Sequence, residues 1–135
     1  MAYQRDVNQF KSLLLLNDGQ GTFKKIELPS RAQSIPILGG ESLDFNGDGF
    51  EDLILVGNIF HTEPDTPRLD NPFGLLLISN QNDNYEVLGP ESTGFYLNGD
   101  AKSVRLVKHE NQKKTFAFVG VNNGPVEVYE LSGTH

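Results

Sequence analysis

The apolar residues of this chain fall into short runs, and each run is closed by residues that turn the backbone. Leu13-Leu14-Leu15-Leu16 is followed by Asn17-Asp18-Gly19-Gln20-Gly21, Leu53-Ile54-Leu55-Val56 by Gly57-Asn58, and Leu75-Leu76-Leu77-Ile78 by Ser79-Asn80-Gln81-Asn82-Asp83-Asn84. Such runs, bounded by glycine, asparagine, aspartate and proline, are the pattern of β-strands joined by tight connections. No stretch sustains the three-and-four spacing of an amphipathic helix, so no convincing helix is expected. The chain reads as all-β. Strands are expected over 12–16, 22–28, 35–45, 52–58, 74–79, 85–88, 103–108, 114–121 and 126–131, with a long polar loop over 59–72 that holds Pro64, Pro67 and Pro72.

The strands repeat. SLLLLNDGQGTFKKIELP resembles FGLLLISNQNDNYEVLGP, displaced by 61 to 62 residues, and SLDFNGDGFEDLILVGN resembles SVRLVKHENQKKTFAFVGVN at a displacement of 61 to 64. The order along the chain is an outer strand pair, an inner pair, an outer pair, an inner pair and one extra strand. About two copies of a four-stranded antiparallel unit fit propeller-type blades. Coincidence among short apolar strands is the bland alternative. Two blades cannot close a propeller, and open sheet edges seek partners. The expectation is therefore completion by head-to-tail homo-oligomerisation; the other arrangement is packing of the sheets on one another as a sandwich.

Composition narrows the function. A chain of 135 residues suits one domain, expected over 1–132, and Gly133-Thr134-His135 reads as a tag remnant after a cloning start at Met1-Ala2, as in an expressed segment of something longer. The net charge is −7 and no lysine- or arginine-rich stripe occurs, which argues against nucleic acid and anionic membrane surfaces as partners. There is no cysteine, which excludes disulfides, thiolate catalysis and cysteine zinc sites. No apolar run reaches a membrane span, and the polar stretch Met1 to Phe10 is not a signal peptide.

The most specific chemistry lies in Asp44-Phe45-Asn46-Gly47-Asp48-Gly49-Phe50-Glu51-Asp52. Calcium takes six to eight hard oxygen ligands in a flexible arrangement. Oxygen side chains at alternate positions, Asp44, Asn46 and Asp48, set three donors around one centre. Gly49 permits the sharp turn, the Phe50 carbonyl can point inward, and Asp52 closes the ring. Magnesium fits less well, since it demands strict octahedral geometry. The first nine positions resemble an EF-hand loop, but position 12 is Leu55 where an EF-hand has glutamate, and the flanks read as strands. The alternative is a solvated Asn/Asp/Gly turn. The equivalent stretch of the second copy, Arg105 to Lys114, lacks the acidic spacing and carries Lys108, His109, Lys113 and Lys114, so one calcium ion per chain is expected.

The loop and its following strand, DFNGDGFEDLILVGN, resemble the FG-GAP/VCBS repeat of integrin α-subunit propellers and many secreted bacterial proteins. The later stretch, with Gly57, Asn58, Phe60, Thr62, Glu63, Pro64, Arg68, Asp70 and a closing NNGPVEVY, is similar to a subset found in cartilage acidic proteins. The resemblance covers about residues 10 to 131 and is strongest in the loop. It implies four-stranded propeller blades, calcium held at a blade loop, a secreted or periplasmic parent protein, and recognition of a protein or glycan ligand rather than catalysis. Carried over residue by residue, it names Asp44, Asn46, Asp48, the Phe50 carbonyl and Asp52 as the metal ligands.

A second constellation supports a different class. His61, Glu63 and Asp65, with Arg68 and Asp70, fall in one ten-residue stretch. If that loop folds over the calcium site, the chain would be a metal-dependent hydrolase of phosphate or related esters, with His61, Glu63 and Asp65 as catalytic candidates. The bland reading is a proline-stiffened surface loop in which Arg68 and Asp70 pair locally. His109 is expected to be exposed in a polar hairpin. Tyr85, Phe95 and Tyr96 are candidates for stacking on a sugar or, more simply, for packing. No G-x-S-x-G nucleophile motif and no phosphate-cradling glycine loop occur.

Overall fold

The computed structural model describes residues 4, 6–65, 67–80, 82–109 and 114–131. The expected cloning start and tag remnant lie outside the described residues, as do Arg5, Thr66, Gln81 and residues 110–113. The element order is β1 (Leu13–Asn17), β2 (Phe23–Glu27), α1 (Ser30–Gln33), β3 (Gly39–Leu43), β4 (Asp52–Val56), β5 (Leu75–Ser79), β6 (Tyr85–Leu88), α2 (Pro90–Thr93), β7 (Ala101–His109), β8 (Lys114–Val121) and β9 (Glu127–Leu131). All strand pairings are antiparallel. The all-β expectation holds, with two single-turn helices that the sequence pattern did not reveal. Among the described residues no helix is long and apolar enough to cross a membrane.

Among the described residues three sheets result: β1-β2, β3-β4-β5-β6 and β7-β8-β9. The repeat is visible in the element order. β1 and β5 begin at Leu13 and Leu75, β2 and β6 at Phe23 and Tyr85, β3 and β7 at Gly39 and Ala101, and β4 and β8 at Asp52 and Lys114, so each pair is offset by 62 residues. α1 and α2 occupy matching places between the second and third strands of each copy. The sheets do not coincide with the repeat units. The middle sheet joins the last two strands of the first copy to the first two of the second.

The middle sheet is buried on both faces, as its uninterrupted apolar strands require. Ile54, Val56 and Leu76 pack with Val104, Ala117 and Val119 of the third sheet, together with Phe95, Leu97 and Ala101. From the opposite face, Leu55, Leu75 and Leu77 pack with Leu28 and Ala32, and Leu14 of β1 lies against them. Alternate residues of one strand therefore serve two cores, which is the period-two geometry of a β-strand.

The short helices fill corners of these cores. α1 follows Pro29, whose carbonyl accepts the Ala32 N–H at 2.9 Å, and it buries Ala32 completely. α2 starts on Pro90, whose ring sets a helical φ, and stops at Gly94 (φ 64°), whose N–H bonds the Pro90 carbonyl at 2.7 Å. Two glycines mark places where chains touch. A Cβ on Gly39 would lie 2.8 Å from the Ser103 Cα, where β3 meets β7, and one on Gly74 would lie 1.8 Å from the Phe95 ring.

Candidate functional site

The acidic stretch occupies the tip of the β3-β4 hairpin. Strand pairing runs from Gly39↔Val56 to Leu43↔Asp52, and the chain then leaves the ladder for residues 44–51. Gly47 (φ 77°) and Gly49 (φ 89°) both take left-handed conformations. A Cβ at either would meet open space, so the backbone conformation, not crowding, calls for glycine.

The loop is organised by its own oxygen side chains. Asp44 Oδ1 accepts the N–H of Gly47 at 2.7 Å and of Asp48 at 3.1 Å, and its Oδ2 accepts that of Gly49 at 3.0 Å. Asn46 Oδ1 accepts the same Asp48 N–H at 3.1 Å, and Asn46 Nδ2 donates to Asp48 Oδ2 at 2.9 Å. Asp48 Oδ1 accepts the Phe50 N–H at 2.9 Å. Asp44 and Asn46 thus converge on one amide, and Asn46 and Asp48 touch directly.

Asp52 stands apart from these three. It is fully buried at the foot of the loop. Its Oδ2 accepts the Phe45 N–H at 2.9 Å, and its Oδ1 accepts the Ser79 N–H at 2.8 Å and the Ser79 hydroxyl at 3.3 Å. It ties the loop to β5. A carboxylate offers about four lone-pair sites, so capacity remains beyond these bonds.

Six carboxylates elsewhere have protein cations beside them, Lys11 with Glu27, Lys24 with Asp83, Arg68 with Asp70, Lys102 with Asp100, Arg105 with Glu41 and Lys114 with Glu130, while others such as Asp18, Glu63, Asp65 and Glu86 are not ion-paired among the described residues. Among the described residues none of Asp44, Asp48 and Asp52 has an ion-pair partner. The donor set, all hard oxygen, suits calcium by its chemistry. The side chains as placed do not form a finished cage: among the described residues no three His, Cys, Asp or Glu side chains gather closely enough to hold a metal ion.

His61, Glu63 and Asp65 lie elsewhere. β4 begins at Asp52 beside the acidic loop and ends at Val56, beyond which the chain enters the 57–72 loop. The two loops therefore leave from opposite ends of a strand that spans roughly 14 Å. All three side chains are exposed. Arg68 and Asp70 form the expected local ion pair at 2.8 Å, and the Arg68 guanidinium lies 3.5 Å from the centre of the Phe60 ring. His109 is exposed, as expected. Phe95 is core, edge-on to Tyr129 with ring centres 4.8 Å apart, whereas Tyr96 is half exposed and meets Phe73 edge-on at 5.5 Å.

At that far end the structure reveals a polar knot that sequence reasoning missed. Asn58 is fully buried and uses every polar group: N–H to the Ala101 carbonyl (2.9 Å), Nδ2 to the Gly99 carbonyl (2.8 Å), Oδ1 from the Asn71 N–H (2.6 Å) and its carbonyl from Lys102 Nζ (2.6 Å). Asp100, also buried, meets Lys102 Nζ at 2.8 Å, the Phe60 N–H at 3.2 Å and Asn122 Nδ2 at 3.1 Å, with His61 Nδ1 at 3.7 Å. Burial pushes the Asp100 carboxyl up, but the bonds from Lys102, Asn122 and Phe60 outweigh it and hold the group below its ordinary value. Among the described residues no buried side-chain polar atom lacks a partner. The knot is thus internally satisfied and anchors the 57–72 loop. The one local hint was that Asn58 and Asp100 each follow a glycine at a strand end.

Comparison with protein-family models, with curated proteins and with solved structures returned no match.

Proposed function

We propose that this chain is a calcium-binding β-propeller repeat module with a structural or ligand-recognition role. The observation that carries the reading is the loop 44–52: oxygen side chains at alternating positions, two left-handed glycines, and three carboxylates with no protein cation beside them among the described residues. The four-stranded antiparallel meander of the middle sheet and the 62-residue offset of its elements agree with a propeller blade. The resemblance of DFNGDGFEDLILVGN to the FG-GAP/VCBS repeat points the same way, and with it to a secreted or periplasmic parent protein that recognises a protein or glycan.

In this reading Asp44, Asn46, Asp48 and the Phe50 carbonyl hold the ion. Asp52 closes the set while keeping the loop on β5. Calcium neutralises carboxylates that otherwise repel, so the ion consolidates the β3-β4 hairpin and stabilises the fold by mass action. The test is thermal unfolding with calcium, with magnesium and with a chelator. Calcium should raise Tm well above the chelated value and magnesium should do so much less. An unfolding curve indifferent to all three would sink the reading.

A further inference from the structure

One strand of each end sheet is patterned for burial on both faces, yet each sheet shows one face to solvent. β1 is apolar at every position from Leu13 to Leu16, and β8 from Phe116 to Val119, like β4 and β5 in the doubly covered middle sheet. On the third sheet Ala117 and Val119 face the core, so Phe116 and Phe118 turn outward. Phe118 is 38% exposed, Val107 48% and Val128 53%. On the hairpin Leu14 faces the middle sheet and Leu15 and Phe23 turn outward, 51% and 53% exposed.

The 62-residue offset states what these faces are. Phe116 and Phe118 stand where Ile54 and Val56 stand in the first copy, on the face of the middle sheet that the third sheet covers. Leu13 and Leu15 stand where Leu75 and Leu77 stand in the second copy, on the face that the hairpin side covers. The uncovered faces are therefore opposite sides of an interface the chain already makes twice. The hairpin face also carries Lys25, which has no ion-pair partner among the described residues, whereas Glu130 on the third-sheet face is already paired with Lys114 of its own sheet.

We propose that the outward face of β7-β8-β9 docks on the outward face of the β1-β2 hairpin of a second copy, head to tail. Such a contact is heterologous, so it closes into a ring or extends as a filament. The inference rests on strand patterning and repeat register and does not depend on the metal.

Solution mass tests it, measured by sedimentation and light scattering in calcium and in chelator. The wild-type chain should exceed monomer mass and grow with concentration. Leu15→Glu and Phe118→Glu should each be folded by circular dichroism and monomeric. Mixed in equal amounts they should form a particle of twice the monomer mass and nothing larger, because each variant keeps one intact face. If either variant fails to fold, Phe23→Lys and Val128→Lys replace them. A wild-type chain monomeric at all concentrations, single variants with wild-type mass, or a mixture that stays monomeric would each overturn the proposal.

Discussion

Asp52 and Ser79 are joined across neighbouring strands: the Ser79 N–H reaches Asp52 Oδ1 at 2.8 Å, with both side chains buried. The same carboxylate holds the Phe45 N–H at the entrance to the acidic loop. Replacing Asp52 by alanine strands both amides in the interior. Bonds to charged acceptors contribute about 1.5–3 kcal/mol each, so Asp52→Ala should lose on the order of 3 kcal/mol in chelator, measured by urea unfolding. Asp44→Ala, whose carboxylate bonds only exposed loop amides, should lose much less under the same conditions. Equal losses would show that Asp52 does not anchor the loop.

The contact of Gly74 with Phe95 gives a second expectation. An added methyl group would overlap the buried ring, which is itself packed against Tyr129. Gly74→Ala should cost about 1–3 kcal/mol, the usual range for overpacking. Pairing it with Phe95→Leu should recover part of that loss, and a double-mutant cycle by denaturant unfolding reads the coupling. Strict additivity would contradict the packing described.

Asp100 makes the fold acid-sensitive. Its carboxyl is held below the ordinary 3.8, so the folded state favours the ionised form more than the unfolded chain does. That contribution is complete above the unfolded value. It is lost as pH falls through 3.8 and then through the lower folded-state value. Asp100→Asn should therefore be less stable than wild type at neutral pH, with the gap narrowing in acid. A gap that stays constant down to the acid transition would contradict the assignment.

Much of the strand architecture was legible because hydrophobic runs and turn residues coincide. β6 and β8 have the predicted bounds, Tyr85–Leu88 and Lys114–Val121. β3 is shorter than the expected 35–45 because residues 35–38 and 44–45 lie outside the ladder; Ile35 and Ile37 still pack against the core beside α1. The helices escaped because Ser30–Gln33 and Pro90–Thr93 make one turn each, too short for any periodicity to register. The oxygen donors of the acidic loop were legible because their spacing is local. The knot was not, since Asn58, Asp100 and Asn122 meet only after the 57–72 loop has folded back on the third sheet. That Asp52 serves as an anchor was hidden for the same reason: its partner Ser79 is distant in sequence.

The central claim is that the loop 44–52 holds calcium, and isothermal titration of the chelator-treated chain tests it most directly. One calcium ion should bind per chain, with a Kd between about 10⁻⁷ and 10⁻³ M for a site of this kind. Asp48→Ala should abolish the heat while leaving the chain folded, and His61→Ala should leave it unchanged. Absence of binding by the wild-type chain at millimolar calcium, or binding that survives Asp48→Ala and Asp44→Ala together, would contradict it.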